Sequence, residues 1–264
     1  MATRRHAPRK RFGQHFLVDP AIVERIIGAI DPRRGDHVVE IGPGLGALTV
    51  PLLARLDHLH VVEIDRDLSA RLREQYSAEQ LTVYQADALE FDLAALPAPL
   101  RIVGNLPYNI STPFLFHAAA AAGRCRDFHF MLQQEVVDRM VAKPSESEYG
   151  RLSVMLQYRF RLERLFDVPP ACFRPEPKVH SAVVRLLPRP MDQLDASSEG
   201  GLSQLVARAF SMRRKTLKNT LSGLISAAEL VELGIDPGRR AQELPVAAFV
   251  TIANHLARAG TGPH

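Results

Sequence analysis

The residues best suited to do chemistry together are Asn105, Leu106, Pro107 and Tyr108, in the run NLPY. An aromatic amine such as adenine N6 is a poor nucleophile, because its lone pair is delocalised into the ring. Alkylating it requires acceptors that hold the amino protons and align the nitrogen for in-line attack. Asn105 Oδ1 and the backbone carbonyl of Leu106 or Pro107 are such acceptors. Tyr108 beside them offers a face for a base taken out of its helix, and stacking there returns about 1–3 kcal/mol. The structural alternative is a proline-induced turn with a core tyrosine.

EIGPGLGALT (40–49) is the second chemical motif. Its glycines stand where a chain must turn sharply and let backbone approach a ligand without a Cβ in the way. Gly42, Gly44 and Ala47 also fit the dinucleotide fingerprint, so the motif alone does not separate a nicotinamide cofactor from S-adenosyl-L-methionine. Glu63 follows about 20 residues on, where an acid accepts the ribose hydroxyls of a nucleoside. Asp87 is placed for an adenine amino group. Each acid alone also reads as a helix cap or a surface charge.

The elements that must position these residues are legible around them. HVVEIG (37–42), HLHVVEID (58–65), LTVYQAD (81–87) and PLRIVGNLPY (99–108) read as strands, and GALTVPLLARL, RDLSARLREQY and PFLFHAAAAA as helices between and after them. That alternation predicts a parallel sheet covered by helices, with the chemical residues at its carboxyl ends. FHFMLQ reads as a further strand, EVVDRMVA as a short helix, and YGRLSVMLQYRFRLERLFDV as a helix passing into a strand, with VHSAVVRLLP closing the sheet. PRPMDQLDASSEGG (188–201) predicts a linker. After it, QLVARAFSMRRKTLKNTLSGLI, AAELVELG and PVAAFVTIANHLAR show helical spacing only, which predicts a small all-helical domain over 202–264.

Composition narrows the class. The 264 residues are 46% hydrophobic and 23% charged, enough for a real core. Apolar runs fall short of a membrane span, and no secretory signal follows the basic start at 1–11. With only Cys125 and Cys172, far apart, a reducing cytoplasm is expected. The net charge is only +4, so clustering carries the argument. Arg4, Arg5, Arg9, Lys10 and Arg11 form one acid-free cluster, and Arg208, Arg213, Arg214, Lys215 and Lys218 another, which reads as an RNA-binding face or a solvated one.

FGQHFL (12–17), EIGPGLGALT, GNLPYNIST (104–112), YGRLSV (149–154) and FRPEPKVHSAVVRL (173–186) together resemble the ribosomal RNA small-subunit adenine-N6,N6 dimethyltransferase family, over nearly the whole chain. AFSMRRKTLKN (209–219) and the GIDP segment at Gly234 extend the likeness. The resemblance implies an α/β fold, a Rossmann-like class I methyltransferase sheet with a small helical C-terminal domain. The catalytic domain would span 1–187. It implies S-adenosyl-L-methionine held at positions matching His15, Leu17, Gly42, Glu63, Asp87 and Asn105, with Gly44 in the same loop. Phe173 would join Tyr108 in clamping the adenine, the alternative being a core position. His15 stands where the family usually has Asn, and His180 where Asp is common.

The implied substrate is a pair of adjacent adenosines in a hairpin loop near the 3′ end of 16S rRNA, dimethylated within the small ribosomal subunit, and a monomer is expected. No metal is expected, since the ten histidines show no HExxH-like spacing and transfer from a sulfonium needs no Lewis acid. A large-subunit rRNA methyltransferase conferring antibiotic resistance is the rival within the class. Outside it stand a non-catalytic assembly factor, against which the intact NLPY argues, and a nicotinamide oxidoreductase.

Overall fold

The computed structural model describes residues 14–260. The basic start at 1–11, with Phe12 and Gly13 of FGQHFL, lies outside them. In chain order the elements are β1 (Phe16–Leu17), α1 (Pro20–Ile30), β2 (His37–Ile41), α2 (Thr49–Leu53), β3 (Leu59–Val62), α3 (Arg66–Gln75), β4 (Leu81–Tyr84), β5 (Leu100–Asn105), α4 (Ser111–Ala120), β6 (Cys125–Gln133), α5 (Gln134–Val141), α6 (Arg151–Arg159), β7 (Phe160–Val168), β8 (Phe173–Arg174), β9 (Ser181–Pro188), α7 (Glu199–Ala209), α8 (Leu217–Thr220), α9 (Ala227–Glu232) and α10 (Val246–Arg258).

Seven strands form one sheet in the order β4-β3-β2-β5-β6-β9-β7, with β4 through β6 parallel and β9 antiparallel to β6. The central strands are rich in Val and Ile and buried along most of their length, as a sheet covered on both faces requires. Strand order reverses between β2 and β5, and the crevice beyond the carboxyl ends of those strands is where ligands of such sheets bind. Near the opposite ends, buried Arg101 bonds Asp127 (2.9 Å) and Asp36 (2.7 Å) and donates to the Ile30 carbonyl. Its single charge faces two carboxylates, the compensation that burial demands.

Local signals fix the helix ends that frame the crevice. Asp19 Oδ1 accepts from Ala21 N (2.9 Å) and Ile22 N (3.2 Å) ahead of Pro20, which starts α1. Asp65, which follows the end of β3, caps α3 by accepting from Asp67 N at 2.9 Å.

Four details differ from the sequence expectations. β9 lies inside the sheet and β7 forms its edge, so VHSAVVRLLP does not close it. α2 covers only Thr49–Leu53, because Gly42, Gly44 and Gly46 with positive φ hold the preceding residues in turns. The expected linker ends early, since Ser198 Oγ accepts from Gly201 N (3.1 Å) and starts α7 at Glu199. The helical run through Arg208 to Lys218 is broken. α7 stops at Ala209, and the Arg208 guanidinium donates to the carbonyls of Thr220 (3.0 Å) and Ser222 (3.2 Å). A continuous helix would hold residues 208 and 220 about 18 Å apart and forbid those bonds.

The chain divides into two compact units, residues 1–137 with 163–188 and residues 138–162 with 189–264. The second unit therefore takes in 138–162, which the sequence reading assigned to the catalytic domain. The cause is packing. Tyr149, Val154 and Tyr158 share a buried cluster with Leu205, Leu217 and Phe249, and the Tyr149 hydroxyl donates to the Leu244 carbonyl at 2.9 Å.

Candidate active site

The crevice at the switch in strand order holds a cavity of about 310 Å³, lined by 14–17, 40–45, 47–48, 62–64, 86–88 and 105–110. The ends of four strands and the N-terminal segment thus meet in one place. Of the residues singled out in the sequence, His15, Leu17, Gly42, Gly44, Glu63, Asp87, Asn105, Leu106, Pro107 and Tyr108 all line it. Phe173 does not. It is wholly buried in the core beside Leu17, its β1–β8 pairing partner.

The glycine loop is shaped by what touches it. Gly42 and Gly44 have φ of 65° and 57°, and a Cβ on Gly44 would sit 3.1 Å from the Phe16 ring. Glu63, 5% exposed at the end of β3, accepts from Gly44 N (3.2 Å) through Oε2 and from Asp65 N (2.8 Å) through Oε1. Burial raises its pKa, and those two N–H donors oppose the rise. Each carboxylate oxygen retains a lone pair for a hydroxyl donor. Asp87 Oδ1 accepts from Leu89 N (2.9 Å), which sets its carboxylate at the end of the third parallel strand.

The sequence reading did not assign Glu40, although it stands in the glycine motif. Glu40 is 2% exposed, lines the cavity and accepts from Thr49 Oγ1 at 2.7 Å. Burial pushes its pKa up to about 8, the Thr49 hydroxyl opposes the rise, and the charge of Glu63 adds to it. Phe16 and Ile64 were also missed, and both line the cavity. Ile64 is 46% exposed, an apolar side chain directly after the strand-end acid.

The NLPY turn follows β5. Gly104 is the residue that lets it form, because a Cβ there would lie 2.5 Å from the Ile41 carbonyl oxygen. Asn105 Nδ2 donates to the His15 carbonyl at 3.1 Å. A carbonyl only accepts, so this bond fixes which end of the amide is nitrogen and leaves Oδ1 as the acceptor. The two backbone candidates also separate. Pro107 O accepts from Ile110 N (3.1 Å) and Ser111 Oγ (3.1 Å), and so it is committed to the start of α4. Leu106 keeps the role by comparison, its own N–H donating to Met131 O at 3.2 Å. The His15 ring stacks on Tyr108, with centroids 5.4 Å apart and planes at 26°, and its Nδ1–H donates to Pro175 O at 2.7 Å.

The second unit's basic set is partly committed to structure. Arg208 holds the Thr220 and Ser222 carbonyls, and Arg213 donates to Ser147 O at 2.7 Å. Arg214, Lys215 and Lys218 are exposed. Bridging of Thr216 to Arg240, with Leu217 N donating to Arg239 O (2.8 Å), brings exposed Arg239 and Arg240 to the same turn. Sequence spacing gave no hint of those two. Among the described residues no group of three or more His, Cys, Asp or Glu side chains could hold a metal ion, and no helix is long and apolar enough to cross a membrane.

Comparison with known proteins decides the family. Residues 5–258 match the family described as ribosomal RNA adenine dimethylase. The chain belongs to that family. It is 62% identical over 252 residues to the ribosomal RNA small subunit methyltransferase A of Aromatoleum aromaticum, covering 96% of this chain and 95% of that one. The protein of the same name from Dechloromonas aromatica is 59% identical over 251 residues, 95% of this chain and 98% of that one. Among solved structures, a dimethyladenosine transferase from Plasmodium falciparum shares the fold, with a TM-score of 0.81 and 24% identity over 93% of this chain and 98% of that one. The 23S rRNA methyltransferase ErmE has a TM-score of 0.70 and 26% identity, over 92% and 99%. As a member of the ribosomal RNA adenine dimethylase family, the chain is an rRNA adenine dimethyltransferase with a methyltransferase fold.

Proposed function

We propose that this protein dimethylates N6 of two adjacent adenosines in the 3′-terminal hairpin loop of 16S rRNA, using S-adenosyl-L-methionine, within the small ribosomal subunit. The observation that carries the chemistry is the turn after β5. Asn105 is oriented by the His15 carbonyl with Oδ1 left to accept, and it lies beside the Leu106 carbonyl and the Tyr108 ring. The 16S assignment draws its support from the relatives' shared name, ribosomal RNA small subunit methyltransferase A.

The residues present fit the methyl donor. Gly42 and Gly44 leave open backbone where side chains would intrude, and the cavity is of the size that takes a nucleoside-sized ligand. Glu63 would hold the ribose and Asp87 the adenine amino group, and His15, Leu17 and Asn105, which line the same cavity, would complete the contacts to the donor. When bound, S-adenosyl-L-methionine supplies an electrophilic methyl group on a sulfonium. Asn105 Oδ1 and Leu106 O hold the N6 protons and direct the nitrogen lone pair, while Tyr108 stacks on the flipped base. No strong base is needed, because the alkylated nitrogen is acidic enough to lose its proton to water. Arg214, Lys215 and Lys218, joined by Arg239 and Arg240, contact rRNA phosphates. The protein acts in the cytoplasm as a monomer without a metal.

The test of this chemistry is single-turnover methylation by Asn105→Ala with cofactor and subunits saturating. The amide oxygen acts chiefly as positive charge develops on N6. The rate should therefore fall about 10²–10³-fold, some 3–4 kcal/mol, with both ligands still bound. A rate within about threefold of wild type would mean that NLPY does not do this chemistry.

A further inference from the structure

Tyr108 is held by something the proposed chemistry does not use. Its hydroxyl lies 2.8 Å from Ser181 Oγ. Ser181 is the first residue of β9, wholly buried, and paired in register with Gln133 of β6. Next to it, Gln134 N donates to the His180 carbonyl at 3.0 Å, so the backbone around the serine is held along the end of β6. Tyr108, by contrast, stands in the turn between β5 and α4, with the His15 ring stacked on it.

We infer that Ser181 is a positioning residue for base capture, anchoring the Tyr108 hydroxyl so that the ring is already inclined to receive the target adenine. The inference rests on the proposed role of Tyr108. Its physical basis is entropic. A ring free to swing loses part of the stacking gain in being ordered, whereas a ring pinned at its far end presents its face at no further cost. Tyrosine has the polar handle for this and phenylalanine does not. The bland reading is that a buried serine hydroxyl and a half-buried tyrosine hydroxyl merely satisfy each other. That reading predicts a change in stability and none in the methylation rate at saturation.

A double-mutant cycle separates the two. Tyr108→Phe keeps the ring and removes the handle, and Ser181→Ala removes the anchor. Each should lower the single-turnover rate on saturating unmethylated subunits by about five- to tenfold, with cofactor affinity unchanged. The double variant should be no slower than either single, because the same bond is lost in all three. Ser181→Thr, which retains a hydroxyl, should recover most of the rate. Singles within about twofold of wild type, or effects that multiply in the double, overturn the inference. A crystal structure of Ser181→Ala reads the anchor without any substrate. Displacement or disorder of the Tyr108 ring supports the inference, and a ring unmoved contradicts it, even if the wild-type protein failed to methylate small subunits and the proposed function fell on its own.

Discussion

Glu40 and Glu63 are two buried carboxyls that line the same cavity, and both are pushed toward the protonated form by burial. Folded protein keeps the Glu40 proton up to about pH 8, whereas the unfolded chain releases it near 4.5. The folded state therefore binds more protons across that window, and stability must fall as pH rises through it. Glu63 adds in the same direction. Glu40→Gln should flatten the decline, by a few kcal/mol at the alkaline end. Denaturant titrations at about pH 5 and pH 8.5 would show it, and an equal decline in wild type and variant would contradict the assignment. Sequence alone pointed to Glu63 and Asp87, because an acid at the end of a strand carries its meaning locally. It left Glu40 unassigned, since burial is a property of the assembled sheet. Ser181 was beyond reach, its partner being 73 residues away. For Phe173 both clamp and core readings stood open, and the side chain lies in the core.

At the scale of elements, the turn after β5 depends on how closely β5 approaches β2. Gly104 stands where a Cβ would meet the Ile41 carbonyl at 2.5 Å, and backbone in a central strand has little room to retreat. Gly104→Ala should cost roughly 1–3 kcal/mol and lower cofactor affinity with it, because Ile41, Gly42 and Asn105 line the same cavity. Thermal unfolding and calorimetry check both, and a variant as stable as wild type would show that the strands part without penalty. The strands with β-branched runs were legible because periodicity and turn residues agree there. The break between α7 and α8 was not. There Arg208 reaches the Thr220 and Ser222 carbonyls, and the helical spacing on either side of the break gives no sign of it.

For the whole molecule, the division into units turned on aromatic residues in 138–162 whose packing partners come from the far end of the chain. No local pattern marks that exchange. Of the basic set in the second unit, Arg208 and Arg213 hold carbonyls whereas Arg214, Lys215 and Lys218 are exposed, and only the exposed ones should govern salt dependence. Arg214→Ala/Lys218→Ala should reduce the slope of log affinity for subunits against log salt by about 1.4–1.8, with cofactor binding spared. An unaltered slope would make these residues a solvated face. The central claim concerns which RNA is modified. Purified protein, S-adenosyl-L-methionine tritiated in the methyl group, and separated small and large ribosomal subunits from a strain lacking the modification give the direct measurement. The account predicts tritium in 16S rRNA of the small subunit alone, ending as dimethyladenosine at two adjacent positions of the 3′-terminal hairpin. Tritium in large-subunit rRNA, or in neither, would contradict it.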